Sequence, residues 1–110
     1  MNVREIADKL ALVPIAGEDG FSNEVTGCYI GDLLSLAMAK VEEGYAWITI
    51  QTNINIAAVA SLRDAACIII ADGFTPDENT VEKANEDNIP ILSSEMSAYE
   101  LAKALSGLSI

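Results

Sequence analysis

The sequence predicts one three-layer α/β domain over residues 1–110, a mainly parallel sheet of about four or five strands with helices on both faces. Three observations lead there. Residues Trp47 to Gly73 (WITIQTNINIAAVASLRDAACIIIADG) hold two apolar, β-branched runs separated by a helix-length segment, which is a β-α-β unit. Helix-type and strand-type patterns alternate along the chain through short connections, with no linker, internal repeat or low-complexity tract; such alternation gives parallel strands joined by right-handed crossovers. At 110 residues and 51% hydrophobic content the chain is long enough for a core without staples, burying roughly 65% of its unfolded surface.

Taken in order, Asn2 and Glu5 form a capping box, and Val3, Ile6, Ala7 and Leu10 share one helical face, so residues 2–11 are predicted to be helical. Leu12 to Ile15 reads as a short edge strand, Gly17 to Gly20 as a turn, and Asn23 to Cys28 as a strand. Gly27 and Gly31 bracket a tight connection into a helix from about Asp32, with Leu33, Leu36, Ala37 and Val41 as its apolar stripe and Gly44 as its C-cap. Tyr45 to Ile50 is a strand, and either Asn53 or Asn55 caps a helix through Ala57, Ala58, Leu62 and Ala65. Ala66 to Ala71 is apolar throughout, as a strand covered on both faces must be. Thr75-Pro76-Asp77-Glu78 supplies cap, proline and reciprocal acid for a helix over 76–87. Ile89 to Ser93 follows as a strand, and Ser97 with Glu100 caps a last helix to Leu105.

Composition excludes several functions. The chain has no histidine, so neither a Ser-His-Asp triad nor a His-ligated metal is available within it. Cys28 and Cys67 match no metal or redox spacing and read as reduced structural thiols of a cytoplasmic protein. No metal and no cofactor is expected. Seventeen acids against six bases give a net charge of −11, which repels a phosphate backbone and argues against nucleic acid as a partner. No apolar run approaches a membrane span, and the charged start MNVREIADKL reads as an amphipathic helix, not a signal peptide, so no membrane partner is expected.

Parallel crossovers of one hand bring the carboxyl ends of the strands to one rim, where open α/β sheets bind ligands. Four loops are expected there: Thr26 to Asp32, Gln51 to Asn55, Asp72 to Thr75 and Ser93 to Ser97. Each leads into a helix N-terminus, whose free amides and dipole favour polar or anionic groups. The candidate ligand-binding residues are Gln51, Thr52, Asn53, Asn55, Asp72 and Gly73, with Thr26 and Gly27, and with Ser93 and Ser94 as further hydrogen-bonding groups. Ser, Thr, Asn and Asp are equally favoured in such loops as caps and turn formers with no ligand involved. No base is placed at the rim, and neither a GxxxxGK[ST] loop nor a GxGxxG after a strand exists. Asp32 and Asp72 are the one conceivable carboxylate pair, with no nucleophile and base beside them. No catalytic residue is assigned.

The segments VTGCYIGDLLS (25–35), WITIQTNINIAAVASL (47–62), ACIIIADGFTPDENTVEKA (66–84) and IPILSSEMSAYELA (89–102), in this order and spacing, resemble the stand-alone DRTGG-domain proteins. The same family is similar to the N-terminal domain of HPr kinase/phosphorylase, to a regulatory insert of bacterial CBS-domain pyrophosphatases and to an N-terminal part of phosphotransacetylases. The resemblance implies a dimerising, non-catalytic regulatory α/β domain, in some members associated with adenine nucleotides. The TGG element of the family name corresponds to Ala71, Asp72 and Gly73, and the Asp-Arg element falls within Gln51 to Asn53, where neither residue stands. That departure bears on nucleotide binding more than on dimerisation.

Two functions are therefore expected from different classes. The first is a regulatory module that self-associates as a homodimer and takes a small nucleotide-like ligand at the rim. The second is an interaction or assembly factor for a larger enzyme, for example a redox enzyme such as an iron-only hydrogenase, with no small-molecule ligand.

Overall fold

The computed structural model describes residues 1–110. It contains strands β1 (Val13–Ala16), β2 (Gly27–Ile30), β3 (Tyr45–Thr49), β4 (Cys67–Ile70) and β5 (Ile91–Ser93), and helices α1 (Val3–Leu10), α2 (Leu34–Lys40), α3 (Asn55–Arg63), α4 (Glu78–Glu86) and α5 (Ala98–Gly107). The sheet order is β1-β5-β4-β3-β2. From β2 to β5 all pairings are parallel, and β1 joins the far edge antiparallel to β5. Since the strands from β2 to β5 follow one another in sequence, crossovers of one hand must put α2, α3 and α4 on the same face. There Trp47, Ile68, Ile70 and Ile91 bury against Ala37, Val41, Ile56, Ala60 and Ala84. The chain ends cover the other face, where α1 and α5 bring Val3, Ile6, Leu101 and Leu105 onto Ala46, Ile48, Ile69 and Leu92. The three layers match the predicted fold class.

Several element boundaries differ from the sequence pattern, each for a local reason. The strand expected at Asn23 to Cys28 begins only at Gly27. Residues 21–25 have other partners: Val3 and Arg4 donate their N–H groups to the carbonyls of Asn23 and Phe21, and Val25 donates to Met1. The free donors of α1 capture this segment, while Asn2 and Glu5 complete the expected capping box. Helix α2 ends at Lys40 with Val41 already extended, so Gly44 is not its C-cap; it turns the chain into β3 at φ 83°. Of the stripe assigned to α2, Ala37 and Val41 are buried, but Leu33 and Leu36 face solvent.

Neither Asn53 nor Asn55 is the N-cap of α3. Ile54 holds that position, and Asn53 Oδ1 accepts the Asn55 N–H from one residue upstream. Helix α4 starts at Glu78, two residues later than expected, and the Thr75 box does not form. The Asp77 N–H is donated to the Thr52 carbonyl, which also accepts the hydroxyl of the fully buried Thr80. The last helix keeps its predicted box, Ser97 with Glu100. The alternation of strands and helices fails once, between β1 and β2, where only a short 3-10 turn intervenes.

Gly17 joins β1 to that turn at φ 70°, its N–H held by Asn85 Oδ1 at 2.8 Å. A Cβ there would overlap the Ile89 carbonyl. Gly17→Ala is therefore expected to cost about 3 kcal/mol or more, through left-handed strain and backbone collision. Urea denaturation checks it, and a loss below about 1 kcal/mol would show that the contact yields freely.

Candidate functional site

The carboxyl ends of β2, β3, β4 and β5 lie along one rim, and there the loops are bonded to one another. Asp32, after β2, accepts the Thr49 hydroxyl at 2.8 Å and the Ile50 N–H at 2.9 Å on the same oxygen, Oδ1. The Gln51 side-chain amide donates back to the Asp32 carbonyl at 3.0 Å, and the Gln51 N–H donates to the Thr49 hydroxyl oxygen at 3.1 Å. Asn53 Nδ2 donates to Gln51 Oε1 at 3.0 Å. Thr52 uses its carbonyl on Asp77 and Thr80 of the next crossover. Trp47 donates its indole N–H to the Gly31 carbonyl at 2.9 Å, fixing the same corner from beneath.

Asp72 and Gly73 have φ of 59° and 74°, and Phe74 donates its N–H to the Ala71 carbonyl, which together define a type I′ turn. Asp-Gly is a favoured pair for that geometry. The turn is pinned to the loop after β5: Asp72 N–H donates to the Met96 carbonyl and Gly73 N–H to the Ser94 carbonyl, both at 2.9 Å. A Cβ on Gly73 would meet only the movable end of the Glu95 side chain, so it is the left-handed φ of 74° that favours glycine there.

The structure thus brings Gln51, Thr52, Asn53, Asn55, Asp72, Gly73, Ser93 and Ser94 to one rim. Thr26 and Gly27 are not there. They lie at the amino end of β2, on the opposite rim, because β2 begins four residues later than the pattern suggested. Asp32 is the rim residue that the sequence reading passed over as a site member. Its place right after the glycine that ends β2 was the available signal. Asp32 and Asp72 stand on corners separated by β3, roughly 10 Å apart, and the Asp32 carboxylate is turned to the end of β3 instead.

Eight of the ten exposed large apolar side chains border this rim: Val13, Ile30, Leu33, Leu36, Ile50, Ile54, Phe74 and Tyr99, from 38% exposed for Ile54 to 75% for Tyr99. Only Met1 and Leu62 lie elsewhere. From β2 to β4 the rim carries no base, since Lys40 and Arg63 end their helices on the far side. Lys9 does come near the rim, contrary to the expected remoteness of every base. It ends α1 beside the start of antiparallel β1, at the sheet edge opposite β2. Both clefts of the surface, of about 410 and 400 Å³, open at the other rim, the larger lined by Glu24, Glu43, Asp64 and Asp87 among others. Two of those acids hold the chain's own ammonium groups, Glu24 the N-terminus and Asp87 Lys83, both at 3.3 Å.

The family model of the DRTGG domain matches residues 5–108. The chain belongs to the DRTGG domain family. Such domains are regulatory. Among solved structures, the chain is similar to the CBS and DRTGG domains of the regulatory region of Clostridium perfringens pyrophosphatase, complexed with its activator diadenosine tetraphosphate. The TM-score is 0.74 at 16% identity, over 93% of this chain and 44% of that one, a likeness of fold. No curated protein matches the sequence.

In this DRTGG domain the two thiols sit level with Ala46, Cys28 on β2 and Cys67 on β4. Two strand spacings, roughly 10 Å, exceed the reach of a disulfide. Burial pushes the Cys28 thiol up to about 11. Burial, with a smaller contribution from Cys28, pushes Cys67 up to about 12. Both favour the neutral form, which is unreactive as a nucleophile. Because each pKa is higher in the fold than in the open chain, their stabilising contribution is whole below the ordinary value of 9.0 and is lost as pH rises through about 11 and 12. Urea midpoints are expected to fall over that window, and replacing both residues by alanine to flatten the fall. An unchanged slope would contradict the assignment.

Proposed function

We propose that this DRTGG domain is a non-catalytic regulatory module that works by association, with the carboxyl-end rim as its contact surface. One observation carries this reading: Asp32, Thr49, Gln51 and Asn53 are tied to one another at the rim, whereas the large apolar side chains that border it stand exposed to solvent. Exposed apolar patches of that kind mark interaction surfaces. The homodimer implied by the resemblance is the simplest form of such association, and attachment to a larger enzyme is the other. Catalysis has little support, since the chain lacks histidine and its thiols are held neutral.

Native mass spectrometry of the chain, purified gently from the cells that make it, tests this reading. Assemblies larger than the monomer are expected, and Leu33→Asp with Ile54→Asp should abolish them while changing stability by no more than about 0.5 kcal/mol. Monomer alone, or assemblies that survive the double substitution, would contradict it.

A second reading is favoured by the activator in the pyrophosphatase complex. A nucleotide-like ligand at this rim would meet Gln51, Thr52, Asn53, Asn55, Asp72 and Gly73, with no lysine or arginine for its phosphates between β2 and β4. Thermal denaturation with AMP, ATP and diadenosine tetraphosphate separates the readings. A ligand at 100 times its Kd adds about 2.7 kcal/mol, and no shift with any of the three rejects the ligand.

A further inference from the structure

The association reading leaves the occupant of the rim open, and the charge around the apolar patch narrows it. Leu33 follows Asp32 at the start of α2, Ile30 ends β2 on the α1/α5 side of the sheet in register with Ile48, and the backbone N–H of Ile50 bonds to Asp32. Leu36 follows one helical step after Leu33, and Ile54 opens α3. All five are exposed. Around and beyond the patch stand carboxylates: Asp32 itself, Asp72 in the type I′ turn, Asp77 at the start of α4, and Glu95 folded over Gly73. No base lies among them between β2 and β4.

Resting on that reading, we propose that the patch seats an apolar segment carrying lysine or arginine, supplied by a different protein. Apolar side chains would fill the space over Leu33, Leu36 and Ile54 while the flanking cations meet the bordering carboxylates. A second copy of this chain fits less well. Rim against rim it would oppose acid to acid, and each copy already carries a net charge of −11. Like charges across an interface act against association and select other partners.

The probes are two fluorescein-labelled amphipathic peptides of equal length, one of leucine and lysine and one of leucine and glutamate, titrated with the full chain and read by anisotropy. The lysine peptide is expected to bind and the glutamate peptide not. Leu33→Ser with Ile54→Ser should weaken the lysine peptide about tenfold or more, since the apolar contact is lost at two places. Asp72→Asn with Asp77→Asn and Glu95→Gln should weaken it similarly and reduce its salt dependence. Glu43→Gln with Asp64→Asn, at the other rim, should change nothing. Circular dichroism and Trp47 fluorescence confirm that each variant is folded. Binding that ignores the rim substitutions, or that falls equally with the control, overturns the proposal. Equal binding of both peptides, or of neither, does the same. A dimer abolished by the rim substitutions overturns it while leaving association at the rim standing, and assemblies indifferent to them remove both.

Discussion

Asp32 is the residue on which the rim depends. Its carboxylate takes a hydroxyl and an amide from the end of β3, so the loop after one strand is fastened to the exit of the next. Hydrogen bonds to a charged acceptor contribute about 1.5–3 kcal/mol each in favourable settings, and partial exposure of this pair puts them toward the lower figure. From that anchor the ties continue through Gln51 to Asn53, through the Thr52 carbonyl to α4, and across the Asp72-Gly73 turn to the loop after β5. Four crossover corners become one platform. What that network leaves over to meet a partner is the exposed aliphatic and aromatic side chains, with the side chains of Thr52, Asn55, Asp72 and Ser93 beside them.

The fold was readable from the chain because its layers are written in simple patterns. The buried run Cys67 to Ile70 and the small-residue helix before it admit little other than a covered parallel strand and a close-packed crossover. Two capping boxes, at Asn2 and Ser97, were exact in place because both bonds are local. Boundaries set by distant partners were not readable. The start of β2 depends on donors of α1, and the start of α4 depends on a carbonyl in the loop after β3. The β1 strand could be seen as an edge, but its antiparallel direction follows from the missing helix before β2.

The site was half readable. Amide-rich Gln51 to Asn55 and the Asp-Gly turn do gather at one rim, as parallel crossovers require, whereas Thr26 and Gly27 went to the other end with the shifted strand. An amphipathic stripe on α2 hid the more telling feature, since sequence gives no means of telling a leucine that faces the core from one that faces a partner. Leu33 and Leu36 continue the periodicity of Ala37 and Val41 yet stand in solvent. Membership in a regulatory family and a surface that offers contact without chemistry are consistent with each other.

Hydrogen exchange of the Ile50 amide, followed by NMR at neutral pH, tests the tied rim most directly. The Asp32 bond should slow exchange roughly tenfold to a hundredfold relative to an open chain. Asp32→Asn, which keeps an acceptor oxygen, should retain most of that protection, and Asp32→Ala should remove it while amides inside β3 and β4 stay slow. Free exchange of Ile50 in the unaltered protein, with those strands still protected, would mean that the corners are not joined and that the polar side chains remain available to a ligand.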